Sequence, residues 1–170
     1  IDGVGNIVTI DFSSTATSGT LSVIADNDCG PSDARSIAIT VLTQSSFTAG
    51  NLVVLQTSST ASKASSAITL KEFTTSGTPR VSISLPSTGT TPIQTSGVFG
   101  GSEGLITTST DNKYILLGGF KTSAFFSDIT ATASSVVPRV VGTVAQSGFY
   151  LPIVSCNPFY SGNGFRGAHS

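Results

Sequence analysis

Residues 101–120 read GSEGLITTSTDNKYILLGGF, with two strand-like runs on either side of the clearest turn in the sequence. Residues 105–108 and 114–117 are rich in β-branched, aromatic and large apolar side chains, the kind that fit a pleated, half-buried surface. Ser109, Thr110, Asp111, Asn112 and Lys113 lie between them. Short polar side chains hydrogen-bond their own backbone, and Asn and Asp tolerate left-handed dihedrals, so this segment predicts the loop of a β-hairpin. Outward from it the chain continues as short apolar runs punctuated by Gly, Ser, Thr and Pro. That pattern predicts an all-β fold.

Composition narrows the class further. Charged residues are 10% of the 170, against roughly 25% in an ordinary globular domain. Serine and threonine together are about three residues in ten, so hydroxyls replace charges as the wetting groups. Such a surface does not repel copies of itself, and β-edge pairing is poorly opposed. With 38% hydrophobic residues the chain can bury a core and is not disordered by composition. The net charge is −1 and the eight basic residues are scattered, which argues against a basic patch for nucleic acid or anionic membrane. No apolar run approaches the roughly 18 residues of a membrane-spanning helix. Methionine is absent, from which we expect a processed or excised chain with no signal peptide to read. Cys29 and Cys156 allow one bridge, and spacing leaves open a pair, two thiols, or a partner of Cys29 elsewhere.

Taken in order, residues 2–6 read as a turn and residues 7–12 as a strand with one buried face, since Val8, Ile10 and Phe12 alternate with polar neighbours. Residues 21–25 and 36–41 are the next strands, giving three antiparallel strands where a closed sandwich needs about seven. The continuous apolar run 51–56 predicts a strand buried on both faces. Residues 57–66, almost all Ser, Thr and Ala, predict a solvated loop or flexible insertion. Residues 68–73 and 80–85 form strands around the turn 74–78, with Gly77 available for positive φ. After a polar loop at 86–95 and the central hairpin, the pattern returns: strand 139–144, a Ser147-Gly148 turn and strand 149–154. The echo has an offset of about 65 to 71 residues, longer than a usual propeller blade.

Two resemblances follow from these residues. GNIVTIDF at 5–12 and ATSGTLSVIADNDCGPSDARSIAITV at 16–41, with the Asn27-Asp28-Cys29-Gly30 to Arg35-Ser36 spacing, resemble the second half of PKD-like, immunoglobulin-type modules of large secreted bacterial surface proteins. TAGNLVVLQT at 48–57, SEGL at 102–105 and DNKY at 111–114 resemble the opening of a propeller-like repeat region in such proteins. The resemblance implies an incomplete immunoglobulin-like module at 1–42 and an antiparallel, propeller-blade-like repeat region at 43–170 of about two units. The expected class is a partial immunoglobulin-like β-sandwich followed by β-meander hairpins.

No residue constellation identifies a reaction. Asp26, Asp28 and Asp33 lack the glutamate and glycine pattern of a calcium loop and read as turn formers, as does Asp111 beside a solvated Lys113. His169, the one histidine, stands near the last residue, where a buried triad is hard to build. Glu103, between glycines, is the most interesting carboxylate, but a general acid–base pair needs a second carboxyl and none is marked. Phe125, Phe126, Phe149, Tyr150, Phe159, Tyr160 and Phe165 suit inter-strand packing or a sugar-stacking surface. We therefore expect no catalytic, cofactor-binding or metal residues and no cofactor.

The expected function is a non-catalytic extracellular or cell-surface module, structural or adhesive. Its partners would be flanking domains or other copies of itself through β-edges, or a glycan, with no nucleic acid and no membrane span. The alternative is a subunit of an extracellular fibre assembled by strand complementation.

Overall fold

The computed structural model describes residues 2–4, 7–12, 16–41, 45–58, 63–97 and 103–169. The chain is all-β, with antiparallel sheets and none closed into a barrel. It divides into two compact units, Ile1–Thr43 and Gln44–Ser170.

The first unit is built from two-stranded ladders. Strand β1 (Asp2–Val4) pairs with β2 (Ile7–Thr9), so Asp2, Gly3 and Val4 are extended and only Gly5 and Asn6, outside the described residues, lie between the strands. The expected turn at 2–6 is corrected accordingly. Strand β3 (Gly19–Val23) pairs with β6 (Arg35–Ile39) in a register that sets Leu21 opposite Ile37. Between them β4 (Asp26–Asn27) and β5 (Gly30–Pro31) close a small ladder around Asp28 and Cys29. Gly30 takes a φ of 105°, which a side chain would resist. The three expected strands are thus present, but β2 pairs with β1 rather than with its later neighbours. None of the described side chains of this unit is buried, and Val23, Ile24 and Ile37 are exposed.

The second unit carries the core. Strands β7 (Leu52–Thr57), β9 (Ile68–Phe73) and β10 (Pro79–Ser84) form one sheet in the order β10-β9-β7. Strands β12 (Ile106–Thr108), β13 (Tyr114–Phe120), β14 (Arg139–Ala145) and β15 (Tyr150–Cys156) form a second, a meander in chain order. A short ladder joins β8 (Ser65–Ser66) to β11 (Thr95–Ser96). Ile68, Leu70, Ile83 and Leu85 from the first sheet share one buried cluster with Leu117, Val140, Val144 and Tyr150 from the second. At about 1.5–3 kcal/mol per fully buried aliphatic or aromatic side chain, this cluster is the main favourable term of the unit. A smaller cluster, Phe120, Ile129 and Val137, continues it beyond the end of β13.

The central hairpin forms as its turn chemistry dictates, with Thr108 opposite Ile115. Ser109 Oγ donates to Asp111 Oδ1 at 2.6 Å, the Lys113 N–H donates to the same oxygen at 3.2 Å, and Asn112 sits at a φ of 57°. The turn at 74–78 forms with Gly77 at a φ of 85°. Both echoed hairpins exist, β9 with β10 and β14 with β15, in different sheets.

Two further expectations are overturned. Strand β7 is not buried on both faces: among the described residues it pairs with β9 alone, and Leu52 and Val54 are about half exposed while Val53 and Leu55 face the core. A run of apolar residues on an edge strand reads like a central strand because hydropathy does not see the missing neighbour. The expected solvated loop 57–66 ends in buried residues, Ala64, Ser65 and Ser66. There the hydroxyl chemistry that predicted solvation is met by protein instead: the Ser65 N–H donates to the Phe126 carbonyl, and the Phe126 N–H to Ser65 Oγ, both at 2.9 Å.

The C-terminal segment runs beside β12. The Leu105 N–H donates to the Arg166 carbonyl at 3.2 Å, and the Thr107 hydroxyl to the Ala168 carbonyl at 2.7 Å. This covers the outer margin of β12, whereas among the described residues β15 pairs with β14 alone.

Candidate functional site

A cleft of about 510 Å3 opens in the second unit between residues 47–51, the hairpin turn and the turn after β14. Local bonds fix its walls. The Phe47 N–H donates to the Gln146 carbonyl at 2.7 Å, and Gln146 Nε2 donates back to the Phe47 carbonyl at 3.2 Å. Gly50, at a φ of 88°, turns the loop toward β7. Tyr114 lines the cleft and is 43% exposed as a residue.

Behind this loop is a buried carboxylate. Period-2 alternation along β9 puts Glu72 on the same face as Ile68 and Leu70, and it is 1% exposed. Its Oε1 accepts from the Thr48 N–H at 2.5 Å and from Asn51 Nδ2 at 2.9 Å, while Oε2 is buried without a hydrogen-bond partner among the described residues. The Thr48 N–H holds the carboxyl below the ordinary glutamate range; burial opposes this, and the Asn51 amide and the Arg80 charge reinforce it. Glu72 therefore acts as an anionic cap that fixes the loop and orients Asn51.

A second buried charge lies elsewhere in the unit. Arg139 is 1% exposed. Its Nη atoms donate to the carbonyls of Val137, Thr132 and Asn163 and to the Thr132 hydroxyl, at 2.7 to 3.1 Å. Burial pushes the guanidinium below its ordinary value, and the charge of Glu103 pulls it back up. Burial also pushes the Tyr150 phenol upward, since its hydroxyl has no partner among the described residues to stabilise the anion.

The residues singled out in the sequence fall in several places. Asp26 lies in β4, Asp28 in the turn after it and Asp33 beyond β5, and no three metal-ligating side chains gather among the described residues. Asp111 is held below its ordinary value chiefly by the Ser109 hydroxyl, and Lys113 Nζ lies 3.6 Å from its Oδ2. His169 lines an adjoining groove of about 580 Å3 with Val53 of β7 and Ile106 of β12, which shares Asn51, Thr108 and Ile115 with the cleft. Glu103 is half-buried, its Oε2 has no hydrogen-bond partner among the described residues, and a Cβ on Gly164 would collide with its carboxylate. Among the aromatics, Phe125, Phe149, Phe159 and Tyr160 are exposed and Tyr150 is buried. Phe126 packs on the smaller cluster, and Phe165 meets Tyr160 edge-on at 5.2 Å. Both cysteines are thiols, Cys29 exposed and Cys156 half-buried.

Glu72, Asn51, Gln146 and Arg139 were not singled out in the sequence. The alternation of Ile68, Leu70 and Glu72 was a usable signal for a buried carboxylate; Asn51 and Gln146 come together only through the fold. Compared with known proteins, the chain matches no family model, no curated protein and no solved structure.

Proposed function

We propose that this chain is a non-catalytic extracellular module, structural or adhesive, of the kind used in large bacterial surface proteins. Its open sheet margin would be completed by a strand from a flanking domain or from another copy. The observation that supports this reading is β15. Its sequence YLPIVSC holds no charge, and Leu151, Ile153 and Val154 are each more than half exposed along a strand that, among the described residues, pairs with β14 alone. Proteins that must stay apart usually blunt such an edge with charges, prolines or bulges; β15 carries no charge, but has Pro152 and a register break that leaves Ile153 without a partner position on β14. A chain this poor in charge offers little electrostatic resistance to strand addition. The resemblances in residues 5–41 and 48–114 support the surface-protein setting.

A second reading, a fibre subunit, rests on the same strand: when the added strand belongs to another copy and the contact is heterologous, assembly propagates. Size-exclusion chromatography with electron microscopy separates the two. Monomers in which the β15 amides facing away from β14 exchange freely with deuterium fit completion by a flanking domain, and helical rods fit the fibre. Monomers with every β15 amide protected would overturn both, because the margin would already be closed.

A further inference from the structure

We infer that the cleft bounded by residues 47–51, the 109–113 turn and the 145–148 turn binds an uncharged saccharide. This goes beyond the edge-pairing reading and does not depend on it. The argument begins with the orientation of two amides. A carboxylate and a carbonyl can only accept hydrogen bonds. Asn51 must therefore turn its NH2 toward Glu72, and Gln146 must turn its NH2 toward the Phe47 carbonyl. Both assignments follow from the partner, not from a choice of rotamer. Asn51 Oδ1 and Gln146 Oε1 are left without protein donors among the described residues, and both residues line the cleft. The cleft is thus supplied with acceptors, and a fitting ligand is rich in donors.

The remaining lining selects among donor-rich ligands. An ammonium or guanidinium ligand would want a carboxylate, but the carboxylate of Glu72 lies behind the loop and engages Thr48 and Asn51. An anionic ligand would want an uncommitted cation, but Lys113 is 3.6 Å from Asp111. Hydroxyl groups match instead. Tyr114, partly exposed as a residue, offers a ring for the apolar face of a pyranose, and an aromatic ring with a polar rim suits a ligand that is hydroxylated at its edge and C–H lined on its face. The volume of about 510 Å3 falls within the roughly 300–1,000 Å3 of small-molecule clefts.

The test is a titration of the whole 15N-labelled chain with neutral disaccharides, hexose–hexose and N-acetylhexosamine types, followed by amide chemical shifts. Saturable shifts confined to 47–51, 109–115 and 145–147 are expected for at least one of them. Tyr114→Ala and Gln146→Ala should each weaken that binding by about tenfold or more, while Phe125→Ala leaves it unchanged. Gln146 is exposed, and its Ala variant keeps the main-chain bond from the Phe47 N–H to the residue 146 carbonyl, so it reads binding even if the Tyr114 variant loses the hairpin. The inference is overturned if no neutral disaccharide shifts these amides, if shifts fall elsewhere, or if Gln146→Ala binds as well as the parent.

Discussion

The guanidinium of Arg139 lies over the ring of Phe120, its central carbon 4.7 Å from the ring centroid, and both side chains are almost wholly withdrawn from solvent. The ring face receives the charge, and the Nη edge ties residues 132, 137 and 163 to the start of β14. Replacing Arg139 by Met keeps bulk but strands the buried Val137 carbonyl and removes the donor from the part-buried bonds to the Thr132 and Asn163 carbonyls. We expect Arg139→Met to cost about 2–4 kcal/mol in urea unfolding, and Arg139→Lys an intermediate amount because a single ammonium cannot reproduce the fork. A loss below about 0.5 kcal/mol for Met would show that these carbonyls find other donors.

Glu72 gives the second unit a pH dependence whose sign is fixed. Its folded-state value lies below the ordinary glutamate value of about 4.3, so the folded state binds fewer protons there than the unfolded state. Its contribution is fully present above that value and is lost as pH falls through the depressed one. Asp111 and Asp128 are depressed as well, so the parent's acid limb sums several groups. Glu72→Gln should be less stable than the parent at neutral pH, because a neutral amide oxygen accepts the Thr48 and Asn51 bonds more weakly than a carboxylate and the NH2 would be buried at the Oε2 position, which has no partner among the described residues, and its stability should fall less steeply below pH 4. Parallel acid limbs for parent and variant would remove Glu72 from this account.

These two sites mark where sequence reading stops. The central hairpin was legible because Ser109, Asp111 and Asn112 make their turn bonds locally, within a few residues. The hairpins before and after it were legible for the same reason, each closing on a glycine at positive φ, Gly77 and Gly148. By contrast, the buried hydroxyls of Ser65 and Ser66 and the exposed faces of Leu52 and Val54 depend on which strand lies alongside, and no local pattern states that. Glu72 sat in a readable alternation, but a charge at an inward position looks like a strand end until its caps at Thr48 and Asn51 are known. Asn51 and Gln146 are 95 positions apart, and only tertiary contact makes them one wall.

Strand β15 predicts a separable effect on assembly. Ile153 is 60% exposed, so a charge there costs little in the isolated chain, within about 0.5 kcal/mol. A lysine on an edge strand opposes pairing with a neighbour. If edge pairing between copies occurs, Ile153→Lys should shift the chain toward monomer in size-exclusion chromatography at unchanged unfolding midpoint. A matching elution profile for parent and variant, with oligomer still present, would place the contact elsewhere.

Gly118 and Phe165 form a pair whose coupling can be measured. Gly118 lies in β13, and a Cβ built on it would overlap the Phe165 ring of the segment that runs beside β12. That ring also packs edge-on against Tyr160, so it is held from two sides and does not yield at no cost. Gly118→Ala should therefore destabilise by about 1–3 kcal/mol, the usual scale of overpacking. Phe165→Ala alone should lose part of the packing over β13. In the double variant the added methyl meets no ring, so the combined cost should fall short of the sum by about 1 kcal/mol or more. Strict additivity in denaturant unfolding would mean that the C-terminal segment does not rest on β13 in solution, and the covered margin of β12 would then stand open like that of β15.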